Sequence, residues 1–215
     1  MKNNSLDVFP PGSIIGIMGG GQLGRMTALA AANLGYRCHI YTEETDSPAA
    51  QVSATTTVAS YKDHDALTQF AKSVDLITYE FENIPMSSIT LLNNIRSIRP
   101  SPSILEISQH RGKEKEFAVQ HGVNVAPYKI IEKISDLESA IKTIGTPSVL
   151  KTCRFGYDGK GQIVINEPEE IYSAWNQLSS DDLVLEQFVA FEKEISIVIA
   201  RDTNHKTKAY QAAEN

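Results

Sequence analysis

The apolar run Ile14-Ile15-Gly16-Ile17-Met18 passes straight into Gly19-Gly20-Gly21-Gln22-Leu23-Gly24, and this junction constrains the fold of everything around it. A short apolar run ending in glycines reads as a buried strand. The segment 22–33 that follows sets Leu23, Met26, Thr27, Ala30 and Leu34 at helical spacing. Gly35 is placed to stop that helix. The alternation then repeats. Residues 37–42 and 55–59 read as strands, Asp63 caps a helix carrying Leu67, Phe70 and Ala71, 75–79 is a further strand, and Pro85 opens a helix to about Asn94. Strand and helix in alternation predict a parallel sheet covered by helices, a Rossmann-like α/β domain.

The pattern changes at Pro100-Ser101-Pro102. Two helical segments are expected at 103–108 and 111–121, then a strand at 128–131 and a helix at 135–143. Next come two short apolar runs, Ser148-Val149-Leu150 and Ile163-Val164-Ile165. Between them lie Lys151 and the loop Gly156-Tyr157-Asp158-Gly159-Lys160-Gly161-Gln162. This reads as strand, loop, strand. The glycines let the backbone approach a ligand closely, and their N–H groups with two lysines suit phosphate oxygens. The loop is therefore a candidate lid over a nucleoside triphosphate. A helix at 168–178 and a strand at 183–187 follow, with Trp175 beside Ile171 and Leu178 as a core residue. An apolar strand at 195–200 is expected to form a hairpin with 206–213. Asn215 comes directly after that strand with no turn or cap, so the chain is expected to be incomplete.

Composition narrows the function. Among 215 residues the net charge is −6, which gives no broad footprint for nucleic acid, so an anionic ligand must be held by local cations. The two cysteines, Cys38 and Cys153, have no metal-type spacing and read as reduced thiols of a cytoplasmic protein. The polar first eleven residues lack the apolar core of a secretory signal, and no stretch is long and apolar enough to span a membrane. His110, His121 and His205 stand in polar surroundings and read as surface residues.

Residues 19–24 fit G-x-G-x-x-G after a strand and before a helix, with Glu43 and Glu44 about twenty residues on, which is the context of a dinucleotide fingerprint. The alternative is that these glycines serve only the tight turn and helix packing, while the helix N-terminus attracts another anion such as a ribose phosphate. The second half offers no obvious proton-transfer residue for a dehydrogenase. It offers glycine and positive charge instead.

Three segments, Gly20-Gly21-Gln22-Leu23-Gly24-Arg25-Met26, Thr78-Tyr79-Glu80-Phe81-Glu82-Asn83-Ile84-Pro85 and Phe155-Gly156-Tyr157-Asp158-Gly159-Lys160-Gly161-Gln162, occur in this order. Together they resemble the N5-carboxyaminoimidazole ribonucleotide synthetases of purine biosynthesis, members of the ATP-grasp superfamily, over the chain from about Ile14 to Asn215. The resemblance implies a Rossmann-like domain at 1–110, an ATP-grasp lid subdomain at 111–190 and the start of the large subdomain at 191–215. It implies a ligase that uses ATP and bicarbonate, through carboxyphosphate, to carboxylate 5-aminoimidazole ribonucleotide. Another ATP-grasp carbon–nitrogen ligase or formate-using transferase, and a nicotinamide-dependent oxidoreductase, are the competing readings.

The roles implied by the resemblance fall on particular residues. Arg111 and Lys151 match contacts to the ATP phosphates, and Gly156, Tyr157, Asp158, Gly159, Lys160, Gly161 and Gln162 match the cover over them. Glu186, Gln187, Phe188 and Val189 match the segment that holds adenine, and Glu194 the acid that binds the ribose hydroxyls. Gln22, Leu23, Glu82, Arg154 and Tyr157 are candidates for the ribonucleotide side, with Arg154 and Asp158 the candidate catalytic residues. Each has a plainer rival: Arg111 on a solvated helix face, Glu194 paired with Lys193, Glu82 capping the helix after Pro85, Tyr157 packed within its loop. No metal ligand is assigned; Mg²⁺ ligands are expected beyond Asn215, the 215 residues alone are expected to be inactive, and the family resemblance suggests a homodimer.

Overall fold

The computed structural model describes residues 8–156 and 160–215. Strands β1 (Ile14–Met18), β2 (Arg37–Thr42), β3 (Thr55–Val58) and β4 (Leu76–Tyr79) form a wholly parallel sheet in the order β3-β2-β1-β4. Helices α1 (Gln22–Asn33), α2 (His64–Lys72) and α3 (Met86–Ile95) cover it. Because strand side chains alternate, neighbouring residues enter different cores. Ile17, Cys38 and Ile40 pack on Ala28 and Ala31 of α1, whereas Met18, Tyr41 and Ile77 pack on Leu67 and Phe70 of α2 and Ile89 and Leu92 of α3. The α2 start is as expected: the Asp63 carboxylate accepts from the Asp65 and Ala66 N–H groups at 3.1 and 3.0 Å.

Helix α1 has the expected bounds but buries a different face. Gly24, Ala28 and Ala31 face the sheet, while Leu23, Met26 and Leu34 are 62%, 57% and 68% exposed. The cause is the short turn from β1, which brings the helix so near the sheet that only small residues fit beneath it. A Cβ on Gly24 would lie 3.1 Å from the Gly19 carbonyl oxygen.

In the second half, α4 (Pro102–Ser108) sends Leu105 into the first core, and α5 (Arg111–Gln120) follows directly. Strands β5 (Tyr128–Ile131), β6 (Ser148–Thr152), β7 (Gln162–Ile165) and β8 (Leu183–Gln187) form an antiparallel sheet in the order β5-β8-β6-β7. Helices α6 (Ile134–Ile144) and α7 (Ile171–Leu178) cover one face, against Leu150, Ile165, Leu183 and Leu185, with Trp175 packed on this core. The alternation that sends Leu150 and Leu185 inward turns Lys151 and Glu186 to the opposite face.

The last segment pairs the two runs expected of a hairpin, antiparallel as expected, but with an interruption. Strand β9 (Ile195–Ser196) pairs with β12 (Ala213–Glu214), and β10 (Ile199–Arg201) pairs with β11 (Thr207–Ala209), as two separate short ladders. All residues of 187–215 are exposed. A continuous apolar run makes a long strand when both its faces are covered. Here neither is, and Ile197 and Val198 fall outside both strands, although the Val198 carbonyl still accepts from the Tyr210 N–H at 3.0 Å.

Candidate functional site

The open face of the second sheet carries a buried charge cluster. Glu186 on β8 is 8% exposed, and both its oxygens are engaged: Oε2 by Lys151 Nζ at 3.0 Å and Oε1 by Lys115 Nζ at 3.1 Å. Burial alone would push the Glu186 carboxyl up, but the hydrogen bonds and charges of Lys151 and Lys115 hold it below the usual carboxylate range. Lys115 comes from α5 and lies 5.6 Å from the centre of the Tyr128 ring.

In front of this cluster lies a cleft of about 490 Å³. Val149, Val164, Phe188, Val189 and Phe191 form its apolar wall, and Lys151, Gln162, Glu186, Gln187 and Glu194 supply polar groups. Lys151 and Gln162 are register partners across β6 and β7, so the ladder itself sets lysine and loop end side by side. Lys193 pairs with Glu214 at 3.1 Å and not with Glu194. An apolar wall with a lysine and carboxylates among its polar groups suits a flat base, a sugar and a phosphate chain.

Gln162, the end of the glycine loop, lines this cleft. Thr152 N–H donates to the Gly161 carbonyl at 2.8 Å. Gly161 has φ +71°, and a Cβ there would stand 2.6 Å from Thr152 Oγ1, so the position requires glycine on both counts. Across the loop base, a Cβ on Gly156 would be 3.2 Å from the Arg111 guanidinium. Lys160 is an exposed residue on the returning arm. Tyr157, Asp158 and Gly159, which the resemblance assigns to the phosphate cover, lie outside the described residues.

Arg111, the first residue of α5, donates its N–H to the Cys153 carbonyl at 3.0 Å. It borders a second cleft of about 190 Å³ with Glu82, Gln109, Glu114 and Gly156. Glu82 opens to solvent at the mouth, yet the surrounding protein and the Glu114 charge push its carboxyl up, with Arg111 opposing. It does not cap α3, whose N-cap is Pro85 without a side-chain bond. Glu82 of the first half and Arg111 of the second thus share one cleft.

His110 is not the solvated residue expected. Its Nδ1 accepts from the Gly112 and Lys113 N–H groups at 3.1 and 3.3 Å, capping α5, and its Nε2 faces Asp182 Oδ1 at 3.0 Å. Cys153, pushed up to about 12 by burial and a hydrogen bond to Asp182, completes a group whose ligand-type atoms lie within 4.8 Å of one another. A cation does not fit this group. Metal on Nε2 would move the imidazole proton to Nδ1, against two N–H donors. The group acts as a clasp joining the α5 N-terminus to the ends of β6 and β8. Arg154, the candidate catalytic residue, lines neither cleft described so far; its Nε lies 4.0 Å from Asp182 in a separate recess with Phe155 and Gly161.

At the end of the first sheet, Gly19, Gly20 and Gly21 line a pocket of about 260 Å³ together with Glu43, Glu44, Tyr61 and Glu80. Glu80 Oε1 takes the Gly21 N–H at 2.7 Å. The helix N-terminus that would cradle a pyrophosphate therefore already holds a carboxylate, with two more beside it. This argues against the dinucleotide reading of the motif. Gln22 and Leu23 sit on the exposed side of the first turn of α1 and are not among the residues lining this pocket.

Lys115, Glu80 and Asp182 were missed from sequence. Only Lys115 had a usable signal, one helical turn after Arg111. Nothing marked Glu80 above its neighbour Glu82, and Asp182 meets His110 only through the fold.

Known proteins agree with this architecture. Residues 13–109 match the family model of the ribonucleotide synthetase preATP-grasp domain, and residues 116–215 match the ATP-grasp domain. The N5-carboxyaminoimidazole ribonucleotide synthase of Brucella melitensis is 42% identical over 95% of this chain and 57% of its own length. The Staphylococcus aureus N5-carboxyaminoimidazole synthetase solved with ADP superposes with a TM-score of 0.93 at 33% identity, covering 99% of this chain and 57% of that one. An Aspergillus clavatus synthase solved with ADP and 5-aminoimidazole ribonucleotide gives 0.85 at 26% identity, covering 95% and 54%. The chain spans a little over half the length of these relatives. With both of its halves matched in order and its fold shared, the chain joins a ribonucleotide synthetase preATP-grasp domain to an ATP-grasp domain, and over its length it is similar to the N5-carboxyaminoimidazole ribonucleotide synthetases.

Proposed function

We propose that this chain carries the nucleotide cleft of an ATP-dependent carboxylating ligase acting on 5-aminoimidazole ribonucleotide in purine biosynthesis. The observation that carries the reading is the single cleft gathering Lys151, Gln162, Glu186, Gln187, Phe188, Val189 and Glu194. Phe188 and Val189 offer the apolar bed for adenine and the backbone of 186–189 its edge contacts. Glu194 accepts from the ribose hydroxyls, and Lys151, Arg111 and the glycine loop take the phosphates. A bicarbonate oxygen attacks the γ-phosphorus and ADP leaves. The amine of the ribonucleotide then attacks the carboxyl carbon of carboxyphosphate, and phosphate leaves. Positioning and charge neutralisation by these cations supply the protein's part in the first step. Arg111 and Lys151 neutralise phosphate but do not ligate metal, so Mg²⁺ would enter on the nucleotide. The Glu82 cleft beside Arg111 and Gly156 is the place for the acceptor ribonucleotide, adjoining the phosphate end.

The cores on the two faces of the first sheet share no residue with the core of the second sheet, which supports a division at 1–110 and 111–190, with 191–215 beginning a further layer. A homodimer and a cytoplasmic setting complete the reading; no helix among the described residues is long and apolar enough to cross a membrane.

Calorimetric titration of the chain with ATP·Mg²⁺ and, separately, with NADH tests the assignment. ATP binding that is lost in Lys151→Ala is the expected result. NADH binding without ATP binding overturns it, and dependence of a coupled assay on formate in place of bicarbonate would move the chain to a formate-using relative.

A further inference from the structure

Lys115 has no part in the roles argued so far, yet it is one of the two cations that hold Glu186. The two lysines differ in position. Lys151 lines the cleft and is 21% exposed at its side chain; Lys115 does not line it, lies behind Glu186 and is 16% exposed. A carboxylate this deeply buried cannot be left without a partner, because an unpaired buried charge is strongly destabilising. With a single lysine, Glu186 would bind that lysine permanently, and its charge would be cancelled before any phosphate arrived. With two, the cluster of one carboxylate and two ammonium groups has a net charge of +1.

We propose that Lys115 is a positioning residue of the nucleotide site: it holds Glu186 from behind, so that Lys151 can turn from Glu186 to an anionic phosphate. Two features fit this division of labour. Each lysine takes a different oxygen of Glu186, Oε1 for Lys115 and Oε2 for Lys151, so one can leave without disturbing the other. Lys115 is further fixed against the Tyr128 ring on β5, whereas Lys151 stands at the cleft end of β6 next to the loop. Helix α5 therefore places Arg111 at the loop base and, one turn later, Lys115 at the carboxylate. The inference rests on the phosphate role of Lys151.

The test compares wild type, Lys115→Met, Glu186→Gln and the double variant Lys115→Met/Glu186→Gln. The probes are ATP·Mg²⁺, adenosine and inorganic tripolyphosphate, followed by calorimetry and by the ammonium NMR signal of Lys151. Lys115→Met is expected to weaken ATP and tripolyphosphate binding by about tenfold or more while changing adenosine binding little. Tripolyphosphate should shift the Lys151 signal in wild type and not in Lys115→Met. Removing the carboxylate as well should restore tripolyphosphate binding, because Lys151 is then free. Equal loss of ATP and adenosine in Lys115→Met, or no rescue in the double variant, overturns the proposal. If wild type binds tripolyphosphate in this Lys115-dependent way but not ATP, the nucleotide reading fails and the hand-over stands. Binding of neither probe overturns both.

Discussion

At the scale of single residues, the site depends on small spaces and paired charges more than on any reactive side chain. Gly161 illustrates the first: positive φ and a neighbour at 2.6 Å leave no room for a Cβ. Gly161→Ala is expected to lower stability by about 1–3 kcal/mol in chemical denaturation, through strain and displacement of Thr152. An unchanged midpoint would show that the loop base relaxes freely. Cys153 illustrates how burial silences a nucleophile. Its thiol is 2% exposed and pushed up to about 12 by burial and by its bond to Asp182, so it should resist iodoacetamide in the native chain at neutral pH and react only on unfolding.

At the scale of elements, two buried ionisable groups give pH dependences of the same sign in different windows. His39 on β2 is held between Ser73 Oγ at 2.9 Å and Thr57 Oγ1 at 2.8 Å, with Phe70 edge-on, and burial lowers its pKa below 6.5. Below about pH 6.5 the unfolded chain binds a proton that the folded chain refuses, so stability falls with acidification, at no more than about 1.4 kcal/mol per pH unit. Glu186 acts in a lower window: its depressed carboxyl contributes stability above the usual carboxylate range and loses it as pH falls through the folded value. Denaturation midpoints measured from pH 7 to 5 should therefore fall in wild type and flatten in His39→Gln. A slope unchanged by that substitution would remove His39 as the cause. Helix α1 teaches a related lesson. Its register was legible from helical spacing, but its buried face was not, because the sheet beneath selects small residues and leaves Leu23 and Met26 outside.

For the whole molecule, the buried cores of the two halves and the exposed last segment predict uneven stability. Amides of β1, β2, β6 and β8 should exchange slowest with solvent, and those of 190–215 fastest, since no residue there is buried. Protection of β9 and β10 equal to that of β8 would mean that this segment packs on a surface the isolated fold does not explain.

The order of elements, the parallel class of the first sheet, the strand–loop–strand around Lys151 and the cap at Asp63 were all determined by sequence alone, because periodicity, glycine and capping residues act within a few positions of themselves. Local reading singled out Lys151 and the loop ending at Gln162, and the family resemblance added 186–189; of these Lys151, Gln162, Glu186 and Gln187 lie on paired strands. Tertiary structure alone decided that Glu80 occupies the first glycine turn, that His110 meets Asp182, and that Lys115 stands behind Glu186. Those contacts join residues 59, 72 and 71 positions apart. No local pattern encodes such a meeting, because it arises only when separate elements are packed and a buried charge must find its partner.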